Sequence, residues 1–208
     1  MTCLFTTSLH LRRKTVMSNA AKVTVVIPNY NGLKFMEPCF KALEMQICRD
    51  FEILVVDNGS GDGSVEWLKE HEIPSIFLET NTGFSGAVNV GIRASKTPYV
   101  ILLNNDTEVI TVNWMEELLM YAQREDVGAA GAKLYYGNKT IQHAGVVIGL
   151  GAHRTAGHTH YRIPVQNLGY MGRLCYTQNA TAVTGACLLV KKSLYEQVGG
   201  LDESFVIS

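Results

Sequence analysis

Three short runs of Asn, Asp and Gly carry most of the chemistry this chain can offer. They are Pro28-Asn29-Tyr30-Asn31-Gly32, Asp57-Asn58-Gly59-Ser60-Gly61-Asp62-Gly63 and Asn104-Asn105-Asp106-Thr107-Glu108. Each directly follows an apolar, β-branched run: VTVVI at 23–27, FEILVV at 51–56 and YVILL at 99–103. A carboxylate at the end of the second run can accept hydrogen bonds from a nucleotide base or ribose. One at the end of the third can hold a hard divalent ion through oxygen, with waters and phosphates completing the shell. Each cluster also has a plain structural reading. Asp57-Asn58-Gly59 is good turn sequence, and Asp106 has the chemistry of a helix N-cap. Their common position decides between these readings, and the elements around them set that position.

Unbroken β-branched runs are expected of parallel strands buried on both faces. Between them lie segments of helical spacing: 35–47, with Phe35, Met36, Cys39, Phe40, Leu43 and Ile47, then 64–70, 86–95 and 112–124. A further strand is expected at 75–79. The order is βαβαβαβα, which predicts a mostly parallel sheet with right-handed crossovers. Ligands of such sheets bind beyond the carboxyl ends of the strands. All three polar clusters therefore belong on one sheet edge, and that joint placement favours a site over three unrelated turns. Past residue 126 the spacing predicts strands at 127–136, 143–149 and 182–190, a long loop at 150–176 and a short helix at 193–198.

Several functions are excluded by what is missing. No G-x-G-x-x-G follows the first strand, which disfavours dinucleotide binding, and no G-x-x-x-x-G-K-[ST] is present. Gly83-Phe84-Ser85-Gly86 can bring backbone close to a ligand or allow tight helix packing. His143, His153, His158 and His160 do not match zinc-ligand spacing. The net charge of −1 over 208 residues argues against nucleic acid as a partner. No apolar run approaches the ~20 residues of a membrane-spanning helix. Five dispersed cysteines fit a reduced compartment. Residues 1–20 lack periodicity and are expected to be a disordered extension, with Met17 a candidate start.

The strings VTVVIPNYN, FEILVVDNGSGDGS, NTGFSGAVNVGI and YVILLNNDTE, in that order, closely resemble family 2 glycosyltransferases. These are inverting enzymes of the GT-A fold, an α/β architecture with a mostly parallel central sheet flanked by helices. IQHAGVVIGLG and TAVTGACLLVKKSLYEQVGGLDESF resemble the bacterial subgroup that builds cell-surface polysaccharides, rhamnosyltransferase-like members included. The resemblance covers Val23 to the last residue and makes 21–208 a glycosyltransferase domain, incomplete at its C-terminus.

The resemblance implies a nucleotide-diphospho-sugar donor, a UDP- or dTDP-sugar, and a glycan or lipid-linked glycan acceptor. It implies donor contacts from Pro28, Tyr30, Asn31, Asp57, Asn81, Gly83, Asn89, Asn104, Asn105 and Asp106. Many members carry a basic residue near position 88, where this chain has Val88. Asp106 is the one carboxylate kept from the family's Asp-x-Asp-type motif and is the implied ligand of Mg²⁺ or Mn²⁺. Thr184, Gly185, Ala186, Asp202 and Glu203 are implied on the acceptor side. The family's acidic base follows the Gly-Gly-Leu-Asp-Glu segment, so here it is expected beyond Ser208. The alternative is a nucleotide-sugar-binding module that lacks the base and is inactive as it stands. The implied location is the cytoplasm, at the inner face of the cell membrane. The 150–176 loop is a candidate lid.

Overall fold

The computed structural model describes residues 2–4, 22–48, 50–150 and 155–204. Its elements run β1 (Thr2–Leu4), β2 (Val23–Asn29), α1 (Leu33–Glu44), β3 (Phe51–Asp57), α2 (Ser64–Glu70), β4 (Ser75–Phe77), α3 (Gly83–Ala94), β5 (Tyr99–Leu103), β6 (Glu108–Val109) and α4 (Trp114–Ala122). They continue with β7 (Ala129–Gly131), β8 (Lys133–Tyr135), β9 (Ile141–His143), β10 (Val146–Leu150), β11 (Thr155–His158), β12 (Cys187–Lys191) and α5 (Lys192–Gln197).

The central sheet has the order β4-β3-β2-β5-β12-β7. β4, β3, β2 and β5 are parallel, as the alternating pattern predicts. β12 joins antiparallel to β5, and β7 antiparallel to β12. The order reverses between β2 and β5: the chain leaves β2 towards β3 and β4, then returns to pair β5 on the other side of β2. That reversal opens a crevice at the strand ends.

Side chains alternate between the two faces, as strand geometry requires. Ile101 and Leu103 face a core with Val25, Ile27, Met36, Leu43, Leu68, Trp114 and Leu118, under α1, α2 and α4. Val100 and Leu102 face a second core with Val26, Val56, Ala87, Val88 and Ile92, under α3. Both faces are covered, which is why the sequence runs are continuously apolar rather than alternating. α3 lies unusually close to the sheet at Gly91, where an added Cβ would come 2.4 Å from Val26 Cγ1 and 2.9 Å from Val56 Cγ2. Gly91→Ala should therefore lower stability by about 1–3 kcal/mol through overpacking, read as an earlier urea midpoint.

Four expectations change in detail. α1 begins earlier than the spacing at 35–47 suggests, where Asp62 Oδ2 accepts the Leu33 N–H from across the fold, and it ends at Glu44. The strand expected at 127–136 is two strands: β7 belongs to the central sheet, while β8 pairs with β9 and β1 in a second sheet, of order β6-β1-β8-β9. β12 starts at Cys187 rather than at 182, leaving 182–186 as an approach to it that ends in a turn at 185–186. The segment expected as a loop at 150–176 contains β11, which pairs with β10 as a hairpin, and a 3₁₀ turn at Tyr170–Gly172. Of residues 1–20 only 2–4 are described, and they form β1. His153 and the C-terminal residues from Phe205 lie outside the described residues. Cys39, Cys48, Cys175 and Cys187 are free thiols, and burial pushes Cys39 up to about 12.

Candidate donor site at the strand reversal

The reversal between β2 and β5 holds a cleft of about 360 Å³. Its walls include Pro28 and Tyr30 from the end of β2, Asn58 after β3, Asn81 and Gly83 at the start of α3, and Asn104 and Asn105 after β5. The three polar clusters meet on one edge, as the topology demands. Phe84 and Ala87 of α3 complete the wall. Tyr30 is a half-exposed aromatic platform on one side.

Asn29 ties the three strand ends together. It is buried, its Nδ2 donates to Asp57 Oδ2 at 2.8 Å, and its Oδ1 accepts from Asn105 Nδ2 at 2.6 Å. Asp57 is fully buried, and its other oxygen accepts from the Ser60 backbone N–H at 3.0 Å. The 57–63 turn is held in turn by Asn31, whose left-handed backbone (φ 50°) lets Oδ1 accept from Gly61 N at 2.8 Å. Asn is one of the few non-glycine residues that tolerates this region.

Asn58 is the second hub. Its Nδ2 donates to Asn81 Oδ1 and to the Gly83 carbonyl, and its Oδ1 accepts from the Thr82 N–H and hydroxyl. These bonds fix the entry to α3. The 12-residue α3 starts at Gly83, in the cleft wall, so its positive dipole end lies at the cleft, while the Gly83 N–H itself donates to Asn81 Oδ1 at 2.8 Å. Asn104 Oδ1 is buried with no hydrogen-bond partner, although the residue lines the cleft. A buried acceptor left in this way costs free energy unless a ligand supplies the missing partner.

The approach to β12 closes the far side. The Ala186 carbonyl accepts from Asn104 N at 3.0 Å. An added Cβ on Gly185 would lie 3.6 Å from the Phe84 ring. Thr184 N donates to His143 Nε2 at 3.4 Å, as does Gly145 N at 3.3 Å. Because Nε2 accepts, His143 carries its proton on Nδ1 and gives it to His158 Nδ1 at 2.8 Å. Burial, then the neighbouring His158, lowers the His143 pKa to about 4. A folded pKa below the unfolded value of about 6.5 means its contribution is present above pH 6.5 and lost as pH falls through 4. Wild-type stability should thus fall below pH 6.5 by up to about 3 kcal/mol from this group, and His143→Gln should flatten that part of a urea-unfolding pH profile.

Six of the ten expected donor residues line the cleft: Pro28, Tyr30, Asn81, Gly83, Asn104 and Asn105. Asp106 is exposed in the turn beside Asn105. Asn31 holds the neighbouring turn, and Asp57 lies beneath the wall with both oxygens engaged. Asn89 is placed elsewhere. It is buried in α3, where its Oδ1 accepts from Tyr195 OH and Leu201 N, and its Nδ2 donates to Leu201 O and Glu203 Oε1. Asp202 and Glu203 share that C-terminal knot and do not line the cleft; Asp202 Oδ1 caps Ser204 N. Asn29, Asn58 and Phe84 were not singled out by sequence. The signal for the first two was their place one residue into a polar cluster, next to the residues chosen. Among the described residues no group of three or more His, Cys, Asp or Glu side chains gathers for a metal. A metal here would depend on few protein oxygens and on ligand phosphates, a mode usual for Mg²⁺.

The profile of Glycosyl transferase family 2 matches residues 24–199, and the chain belongs to that family. The fold is GT-A: the mannosyltransferase PcManGT from Pyrobaculum calidifontis, solved with GDP-Man and Mn²⁺, superposes with a TM-score of 0.61 at 16% identity, over 89% of this chain and 49% of that one. TarS 1–349 of S. aureus gives 0.55 at 16% identity, over 88% of this chain and 51% of its own. Among relatives, y4gI of Sinorhizobium fredii is 38% identical over 90% of this chain and 21% of its own length. The O-antigen biosynthesis protein RfbC of Myxococcus xanthus is 30% identical over 89% of this chain and 15% of its own. The chain spans about a fifth or less of these two relatives. Among the described residues no helix is long and apolar enough to cross a membrane.

Proposed function

We propose that the cleft binds a nucleotide-diphospho-sugar, a UDP- or dTDP-sugar, and that the domain transfers the sugar with inversion to a hydroxyl of a glycan or lipid-linked glycan in polysaccharide synthesis. The observation that carries this is the orphaned Asn104 Oδ1 in a polar cleft at the strand reversal, faced by the N-terminus of α3. Tyr30 offers a ring for a base to stack on, and the α3 N–H groups suit an anionic diphosphate.

Asn104 Oδ1 and the Asp106 carboxylate are hard oxygen donors in one turn, a set that fits Mg²⁺ or Mn²⁺. Such an ion stabilises the charge that develops on the departing nucleoside diphosphate. Gly185 and Ala186 sit against Phe84 and Asn104 of the cleft wall, the side on which an acceptor hydroxyl would approach. The acceptor proton needs a carboxylate base. Asp202 and Glu203 are engaged away from the cleft, which supports placing that base outside the described residues. The reading of the chain as a binding module without turnover shares the same donor site. The names of PcManGT, with GDP-Man and Mn²⁺, and of TarS, with UDP and UDP-GlcNAc, support the donor class. RfbC and a teichoic acid polymerase of Staphylococcus epidermidis support the polysaccharide setting.

Calorimetry with UDP, dTDP and GDP, with and without Mn²⁺, tests the assignment. Asp106→Ala should weaken Mn²⁺-dependent binding at least tenfold, with the protein still folded by urea unfolding. Unaltered affinity would remove Asp106 as a ligand.

A further inference from the structure

The charge of −1 conceals an asymmetry. From residue 127 to residue 195 the chain has no Asp or Glu, yet it has seven Lys or Arg and four His. Two of those cations converge. Lys133 and Arg173 both line a cavity of about 100 Å³ with His143, Gln178 and Val183. Arg173 and Gln178 also line an adjoining cavity of about 170 Å³ with Thr159 and His160. Lys133 Nζ donates to the Leu174 carbonyl at 2.9 Å, one residue along from Arg173, and Gln178 Nε2 donates to the Arg173 carbonyl at 3.1 Å. Lys133 is half-buried, and among the described residues neither it nor Arg173 forms an ion pair. Burial draws the Lys133 pKa down, with no carboxylate opposing it.

A partly buried cation without a counter-charge, as Lys133 is, is costly unless an anion arrives. Lys133 with the exposed guanidinium fork of Arg173 beside it on the same cavity matches a doubly charged oxyanion better than a single carboxylate. The pocket also adjoins the cleft. Val183 lines it, and Gly185, two residues on, packs against Phe84 in the donor wall. Two residues of chain span at most about 7 Å.

We propose that the Lys133–Arg173 pocket binds a phosphate group carried by the acceptor, holding it beside the donor cleft. The acceptor role rests on the reading of the cleft as a donor site; the phosphate pocket does not.

Glycerol 3-phosphate and vesicles of phosphatidylcholine with phosphatidic acid separate a free phosphate from a lipid-borne one. Calorimetry on the full chain should show saturable binding of at least one of them. Arg173→Gln and Lys133→Gln should each weaken it at least tenfold, Lys133→Arg should retain most of it, and Lys139→Gln, a cation outside the pocket, should leave it unchanged. Binding of vesicles alone, lost in Arg173→Gln, assigns a lipid-borne phosphate. No binding of either probe overturns the proposal, and so does equal weakening by Lys139→Gln, which would mean diffuse attraction. UDP with Mn²⁺ serves as the independent arm: its loss in every protein, with phosphate binding intact, would refute the donor reading and leave the pocket standing.

Discussion

Gly32→Ala is expected to reduce nucleoside diphosphate affinity at least tenfold while the domain stays folded. A Cβ at this position would sit 2.0 Å from Asn105 Nδ2 and 2.5 Å from Asn29 Oδ1, the two ends of the bond that joins β2 to β5 across the cleft floor. The backbone there has φ −112°, which any residue can adopt, so the penalty is steric and not conformational. Asn105 must move, and with it the turn that carries Asn104 and Asp106. Gly32 is buried, but Asn105 is only partly so and can yield, so the stability loss should stay within the ~1–3 kcal/mol usual for overpacking. Calorimetry for affinity and urea unfolding for stability read the two effects separately. A large stability loss with affinity intact would mean that this bond supports the fold and not the cleft.

The second large effect is at Asp57. Asp57→Ala removes the acceptor for both Asn29 Nδ2 and Ser60 N in a fully buried setting. Each donor left unpaired costs ~1–3 kcal/mol, so a loss of about 3 kcal/mol is expected. Asp57→Asn is nearly isosteric but can place an amide N–H against the Asn29 amide N–H, so it should also destabilise. The double exchange N29D/D57N reverses the direction of that bond and lets the new carboxylate still accept from Asn105. It should recover more than half of the single-variant loss, measured as a double-mutant cycle in urea. Strict additivity of the two changes would show that the Asn29–Asp57 bond does not matter to the fold.

These two cases also show what could be read from the chain before its structure. Three of the four parallel strands, β2, β3 and β5, were legible because burial on both faces leaves continuous β-branched runs. The site's place was legible because strand ends and topology put three polar clusters on one edge. Side-chain direction was less so. Asp57 had the chemistry to touch a ligand, but its carboxylate turns inward to organise Asn29 and Ser60. The family resemblance put Asn89 among the donor contacts. A position two turns into α3 points instead at the sheet-flanking core, where its amide holds Leu201 and Glu203. The antiparallel entry of β12 and the split between β7 and β8 depend on long-range pairing, which no local pattern carries, and the β10–β11 hairpin reaches into the stretch read as loop without an alternating apolar pattern to mark it. The acid-free stretch was present in the sequence all along, but whole-chain charge averaged it away.

The central claim is that a nucleoside diphosphate and its metal sit between β2 and β5. Mn²⁺ is paramagnetic and broadens the NMR signals of nearby nuclei, so it reports its own location. With UDP or dTDP present, the amides of Tyr30, Asn58, Gly83 and Asn104–Asp106 should broaden first, and the effect should vanish in Asp106→Ala. Broadening centred on other residues, with those amides untouched in the presence of saturating nucleotide, would contradict the account.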